Sequence, residues 1–453
     1  MTADPSRVRV LLVGGDARTD ALAEALAASD RRPELVAVAP FASPGLARRC
    51  SALQRVADLA DTAAIVDVAR SRAVDLAVIG PEAPLAAGLV DALRDGLGVA
   101  SIGPTRSLAR VETSKSFTRE LLDAHAIAGN PRYRVFRAPE ATRGELEDYV
   151  LGLGDVVVKP DGLTGGKGVK VLGEHLFSPH EAVDYGLQLL AEDGVVVVEE
   201  RLEGEEFSLQ SLADGESVVH CPPVQDHKRA FEGDAGPNTG GMGSYSDADL
   251  SLPFLEPGDL VAAQALNESV LEALAIETGE PYRGVLYGGF MATAEGIRLV
   301  EYNARFGDPE AMNVLTVFDG DWLEVFLAIA HGGLGRVPAA WRSEATVCKY
   351  VVPVGYPDAT ERDGELVVSP EVASGGPGAR FYWSSVRDEG GRHLLCGSRA
   401  LAAVGVGDCL AEAERRAESL LAGVSGPVRH RADIGTAGLV ERRIAHMAAL
   451  RGR

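Results

Sequence analysis

The chain has 453 residues, 46% of them apolar and 24% charged, so two to four ordinary domains with buried cores are expected and disorder is not. A net charge of −22, from 44 Lys and Arg against 66 Asp and Glu, repels nucleic-acid phosphates and anionic membranes. Neither is expected as a partner, and a phosphate-bearing small molecule must be met by local cations, backbone amides or a metal. The five cysteines show no Cys-x-x-Cys spacing, and no apolar run reaches the roughly 18–20 residues that span a bilayer. No charged segment followed by an apolar one opens the chain, so a reduced, cytoplasmic protein is expected.

In chain order, residues 8–13 read as a strand, Gly14 and Gly15 as a tight turn, and 20–29 as an amphipathic helix. Strands follow at 35–39, 76–80 and 100–103, with helices at 63–71 and 85–96. This alternation predicts a doubly wound parallel sheet over residues 1–112. Ligands of such sheets sit at the carboxyl ends of the strands, here loops 14–20, 39–46 and 80–85.

Residues 113–130 read as helical. Strands at 156–159 and 169–172 flank Asp161-Gly162-Leu163-Thr164-Gly165-Gly166-Lys167-Gly168, a hairpin flap. It is not a Walker loop, because Gly168 stands where Ser or Thr is required. Then come strands at 195–200 and 207–212, a polar loop over 225–244, a helix at 260–276, paired strands at 284–292 and 297–302, and a helix at 322–331. A central domain of residues 113–335 is expected, its flap subdomain at about 131–205. Strands at 346–352, 379–383 and 400–406 and a helix at 409–422 predict an α+β domain over 340–453. The fold class is thus a multidomain combination of α/β and α+β.

Four segments carry chemistry. Lys159 at a strand end, with Gly165, Gly166 and Lys167 in the flap, suits nucleotide phosphates, because glycines let backbone amides approach a ligand closely. The competing reading is a plain hairpin with solvated lysines. Residues 199–206 hold five carboxylates in eight residues. Backbone from Glu199 and Glu200 to Leu202 would meet an adenine edge and Glu206 a ribose, against a solvated acidic turn. Glu301 and Asn303, two apart on a strand, share a face, and their oxygens suit Mg2+, or Mn2+, completed by phosphates and water. Arg305, next in the alternation, would fork onto a carboxylate or phosphate; an exposed polar face is the alternative. Asp226, His227 and Lys228, with Asn238, Thr239 and Gly240, read as a substrate loop, where Asp226, Asn238 and Arg305 would hold a small amino acid. A lone histidine is no zinc site, and no Gly-x-Ser-x-Gly elbow occurs.

In this order, residues 80–85, Ser114 and Lys115, 159–168, 199–206, 225–229, 237–243 and 301–310 resemble the phosphoribosylamine–glycine ligases (glycinamide ribonucleotide synthetases) of the ATP-grasp superfamily, in their archaeal form. The similarity covers nearly the whole chain. It implies a central ATP-grasp domain and ATP-driven formation of glycyl phosphate. The amine of phosphoribosylamine would then attack, with release of phosphate, in purine synthesis. It also implies Lys115, Lys159 and Lys167 toward ATP phosphates, Glu206 on ribose, and Glu301 and Asn303 as metal ligands. Arg305, Lys167 and Asp226 would act at the reacting groups. Gly14, Gly15, Asp16, Arg18, Pro81, Glu82, His227, Lys228, Thr239, Gly240 and Asp308 would line the substrate pocket. The strand before Glu301 reads Tyr287-Gly288-Gly289-Phe290-Met291, without the further acid many relatives carry.

Two loops depart from the family. Asp16, Ala17 and Thr19 replace two glycines and a glutamate, and Pro40 and Phe41 stand where a Gly-Asn step is usual. A carboxylate about 4 Å from a phosphate charge costs roughly 4 kcal/mol at a dielectric near 20. Asp16 facing the pocket would therefore shift the amine substrate toward specialised, nucleoside-like metabolism, whereas a solvent-facing Asp16 leaves the family reaction intact. A non-catalytic nucleotide-binding regulator is the remaining class, opposed by the retained lysines, Glu301 and Asn303. Nothing in the sequence sets an oligomeric state.

Overall fold

The computed structural model describes residues 7–165, 168–373 and 375–452, so Gly166 and Lys167 lie outside the described residues. Val10 to Val13 are all fully buried, which makes β1 (Arg9–Val13) a strand covered on both faces, as parallel sheets require. With β2 (Glu34–Ala39), β3 (Ala52–Arg55), β4 (Leu76–Ile79) and β5 (Ala100–Ile102) it forms a parallel sheet ordered β3–β2–β1–β4–β5. The order reverses about β1, so the loops after β1 and β4 meet. There Gly14 N–H donates to Val38 O and Gly80 N–H to Val13 O. Gly14 has φ +146°, and a Cβ on it would stand 2.2 Å from Thr19 Oγ1, so a side chain does not fit this turn.

The first helix, Ala17–Ala27, starts before its amphipathic pattern does, because Asp16 accepts the Thr19 N–H as its N-cap. The single helix expected over 85–96 is two, Glu82–Ala86 and Leu89–Leu97, parted at Gly88 with φ +84°.

The flap sheet contains β6 (Tyr133–Arg137), β7 (Val156–Pro160), β8 (Lys170–Val171) and β9 (Val195–Glu200), ordered β6–β9–β7–β8. β7 and β8 are the antiparallel pair on either side of the glycine segment. Two helices not predicted from the apolar pattern, Arg143–Leu153 and Pro179–Asp193, build its separate core around Leu146, Val150, Val158 and Val198. Each starts at Thr or Ser with Glu three residues on, a start sequence that caps the helix.

β10 (Glu205–Ala213) and β11 (Val218–His220) lead into the stretch expected as a loop. It instead contains β12 (Gln225–Asp226), β13 (Arg229–Phe231), β14 (Ala235–Asn238) and β15 (Gly243–Ser246). β16 (Gly284–Thr293) and β17 (Gly296–Asn303) join β10 in an antiparallel sheet ordered β11–β10–β16–β17. β15 pairs with β18 (Ala345–Pro353), so β12 and β15 extend the C-terminal sheet, whose other strands include Leu401–Gly407 and Ala379–Trp383. A last helix, Ala437–Leu450, also unpredicted, packs on β10 and β16. Among the described residues no helix is long and apolar enough to cross a membrane.

The N- and C-terminal regions meet at Asp20. Its buried carboxylate accepts the Trp383 N–H at 2.8 Å and pairs with Arg49 at 2.7 Å. Burial pushes this carboxyl up to about 6, against the pull of Arg49. Removing one partner of a buried pair costs about 3–5 kcal/mol. Asp20→Ala is accordingly expected to lower the thermal unfolding midpoint by several degrees; a midpoint equal to that of the unsubstituted chain would contradict this.

Candidate active site

A small cleft on the β10–β16–β17 sheet is lined by Glu206, Asp226, Lys228, Tyr287, Gly289 and Val300, and the flap sheet meets its edge at Val300. Lys159 reaches that edge from the end of β7, nearly buried, with Nζ 2.6 Å from Glu199 Oε2 and 3.5 Å from the Val300 carbonyl. Arg119, on the helix Lys115–Ala124, grips the same carboxylate as a fork, at 2.7 and 3.0 Å, and donates to Val300 O at 2.7 Å. Burial alone would raise the Glu199 carboxyl; Arg119 and Lys159 override it and hold the group down at about 2. Glu200, next on β9, points the other way and pairs with Arg132 on the surface. Leu202 is half-buried between β9 and β10, and Gly165, at φ +58°, is the last described residue before Lys167. Lys115 donates to the Gly162 carbonyl at 2.9 Å, and burial lowers its pKa.

Opposite these cations, Lys228 Nζ stands 3.1 Å from Glu206 and 3.9 Å from Glu301. Burial would lower the Lys228 pKa, but the two carboxylates raise it. Glu301 and Asn303 share a face of β17, across from Gly289 and Tyr287 of β16. Among the described residues no three His, Cys, Asp or Glu side chains form a metal group. The chain offers one carboxylate and one amide oxygen, a donor set that fits Mg2+, which keeps phosphates and waters in its shell.

Toward the N-terminal sheet the face-sharing expected of Arg305 fails, because β17 ends at Asn303. The guanidinium turns back instead, donating to Asn303 Oδ1 at 3.0 Å and Phe306 O at 3.2 Å, and pairing with Glu112 at 3.2 Å and Glu82 at 3.7 Å. Its fork is thus engaged within the protein rather than open. Pro81 and Glu82 follow β4, so this pairing joins the loop after β4 to β17. Arg18 donates to Phe306 O at 2.7 Å and pairs with Asp16. Asp16 faces neither pocket nor solvent as a free charge: Thr19 and Arg18 satisfy it and hold its carboxyl below the ordinary value although burial opposes them. Gly15 lies under Pro40 and Phe41, where a Cβ would meet their rings at 3.0 and 3.1 Å.

Asp226 lines the small cleft on the β10–β16–β17 sheet with Glu206, Lys228, Tyr287 and Gly289. Burial and the nearby Glu310 push its carboxyl up. His227 does not join it. Its ring is buried, stacked on Tyr245 at 5.8 Å, with Nδ1 3.7 Å from Asp234. Thr239 closes the β13–β14 hairpin by bonding the Lys228 carbonyl, with Asn238 half-buried opposite Arg229. Arg399 from the C-terminal region clamps the carbonyls of Gly240 and Gly241 and pairs with Asp308 at 2.9 Å. Arg119, Glu112, Glu310 and Arg399 escape the sequence reading. Arg119 alone had a local cue, four residues from Lys115 on one helix face.

The buried fork has a pH signature. A carboxyl held at about 2 in the folded chain, against an ordinary value near 4.5, contributes stability that is full above about pH 4.5 and is lost as pH falls toward 2. In E199Q this component of the acid limb should be missing from melting curves taken between pH 5 and 2; an identical acid limb would refute it.

Residues 8–112, 113–311 and 346–437 match the N domain, the ATP-grasp (A) domain and the C domain of phosphoribosylglycinamide synthetase. Phosphoribosylamine–glycine ligase of Methanosarcina barkeri is 44% identical over 447 residues, 98% of this chain and 100% of that protein. That of Methanoregula boonei is 46% identical over 443 residues, with the same coverage. The crystal structure of the Thermotoga maritima phosphoribosylamine–glycine ligase is similar at a TM-score of 0.78 and 28% identity, over 94% of this chain and 100% of that one. A biotin carboxylase domain from Hydrogenobacter thermophilus shares the fold at a TM-score of 0.70 and 15% identity, over 99% of this chain and 96% of that one. The chain belongs to the phosphoribosylglycinamide synthetase family.

Proposed function

We propose that this chain is an ADP-forming carbon–nitrogen ligase of the ATP-grasp type that joins glycine to phosphoribosylamine in purine synthesis. The observation that carries the reading is the cleft in which Lys115, Lys159 and Lys228 face Glu206, Glu301 and Asn303, in a chain that matches all three family domains. In the first half-reaction a glycine carboxylate oxygen attacks the γ-phosphorus of ATP, and ADP leaves. In the second, the amine attacks the glycyl carbon, phosphate leaves with the bonding electrons, and the amine gives up a proton. Lys115 and Lys159, with Lys167, neutralise the phosphates, and Glu206 accepts from the ribose. Glu301 and Asn303 hold Mg2+, or Mn2+, which supplies charge neutralisation of the transferring phosphoryl group. Asp226 meets the ammonium of the amino acid, and Glu199 to Leu202 the adenine edge.

We assign residues 1–112 to the amine side, 113–335 to nucleotide and glycine, and 340–453 to closing the site through Arg399, in a cytoplasmic protein. His227 acts from beneath the site, by holding Asp234. A changed amine substrate lacks support, since the Asp16 charge is consumed by a helix cap and Arg18. A non-catalytic regulator is likewise disfavoured by the retained cations and carboxylates.

Purified protein given MgATP, glycine and freshly generated phosphoribosylamine should release ADP together with glycinamide ribonucleotide, read by mass. ATP turnover with glycine and another amine only would move the question to the amine pocket, and no turnover at all would sink the ligase reading. Asp16 is both the helix cap and the carboxylate partner of the nearly buried Arg18, so D16G/A17G is expected to melt at a lower temperature than the unsubstituted chain. Because that carboxylate is satisfied by Arg18 and Thr19, the folded variant should keep its KM for phosphoribosylamine within about twofold of the unsubstituted chain; a tenfold gain would restore the case against Asp16.

A further inference from the structure

We propose that Arg119 is a positioning residue whose task is to keep the charge of Lys159 available to nucleotide phosphates. The inference rests on the ligase reading for the identity of the nucleotide and on geometry for the rest. Lys159 and Glu199 alone would make a one-to-one ion pair at 2.6 Å whose two charges cancel. Arg119 changes the count. Both Glu199 oxygens accept from its guanidinium, at 2.7 and 3.0 Å, in a pair whose side chains are each under 5% exposed. Two cations then share one carboxylate, and one positive charge is left over.

Of the two cations, Lys159 is the one whose charge falls on Glu301 and Lys115. Both touch the Val300 carbonyl, Arg119 at 2.7 Å and Lys159 at 3.5 Å, and Arg119 is the more deeply buried. A planar fork suits this service, because it satisfies both carboxylate oxygens from one side and leaves the ammonium its remaining donors. The same guanidinium ties the end of β9 to β17, one residue before Glu301, so the charge is held in register with the proposed metal strand.

Titration calorimetry of MgATP binding tests this without glycine or amine, so its outcome is separate from that of the turnover assay. R119M is expected to weaken MgATP binding about tenfold or more, as loss of one charge from a buried cluster does. R119K, which keeps the charge but loses the fork, should weaken binding clearly less than R119M does, by about threefold, the fork being the smaller part of the effect. In the E199Q background, where Lys159 has no carboxylate to cancel it, adding R119M should weaken binding less than about twofold. Equal weakening by R119M in both backgrounds, or a loss in R119K as large as in R119M, would overturn the proposal by making Arg119 a merely structural tie. Should R119M fail to fold, the R119K result against the unsubstituted chain and the E199Q/R119M result against E199Q decide it.

Discussion

The segment 301–310 is gripped by three guanidinium groups that come from three parts of the chain. Arg18, behind the first strand of the N-terminal sheet, bonds the Phe306 carbonyl. Arg305 folds back onto Asn303, Glu112 and Glu82. Arg399 reaches in from the C-terminal sheet to Asp308 and to the carbonyls of the 240–241 turn. A guanidinium carries five N–H donors in one plane, so each can hold a carboxylate and a carbonyl at once. The strand β17, the loops after β1 and β4 and the 240–241 turn are held in position relative to one another because these three groups bridge them.

The electrostatics of the cleft follow from packing charge into a chain that is acidic overall. Carboxylates and cations taken from water must be paired, or burial neutralises them. Some cations are divided between two acids: Lys228 between Glu206 and Glu301, Arg305 between Glu82 and Glu112 and, away from the cleft, Arg49 between Asp20 and Glu24. Glu199 is the reverse, one acid between two cations. At the first kind of node carboxylates outnumber the cation, and at the second one positive charge is in surplus. The two rows of the cleft are in this sense unlike, although each contains lysine beside glutamate.

Local pattern carried much of the fold into view. The helix Trp322–His331 and the strand Ala379–Trp383 stand at their expected bounds, and the all-parallel N-terminal sheet follows from strand–helix alternation. The 225–244 stretch was misread for a physical reason. Its strands are short and rich in glycine and polar residues, so no alternation appears, and β15 is a strand because it pairs with β12 and with β18, about a hundred residues later. The site divided the same way. Lys159, Glu206, Glu301 and Asn303 were legible from strand ends and spacing. Glu112 and Arg399 are given meaning by groups they meet in other domains, and Arg119 by Glu199 and the Val300 carbonyl, far along the same domain.

Sequence by itself determined the strand–helix alternation, the glycine hairpin, the acid-rich turn and the Glu301–Asn303 pair, because each depends on residues a few positions apart whose geometry the backbone fixes. Only the tertiary structure decided what the charges do. Asp16, read as a threat to a phosphate, is a helix cap neutralised by Arg18 two residues away. Arg305, read as an open fork, is closed by Glu82 and Glu112, more than 190 residues earlier. The energy of a charge is set by its partners and its access to water, and in this chain those partners range from two residues away to another domain.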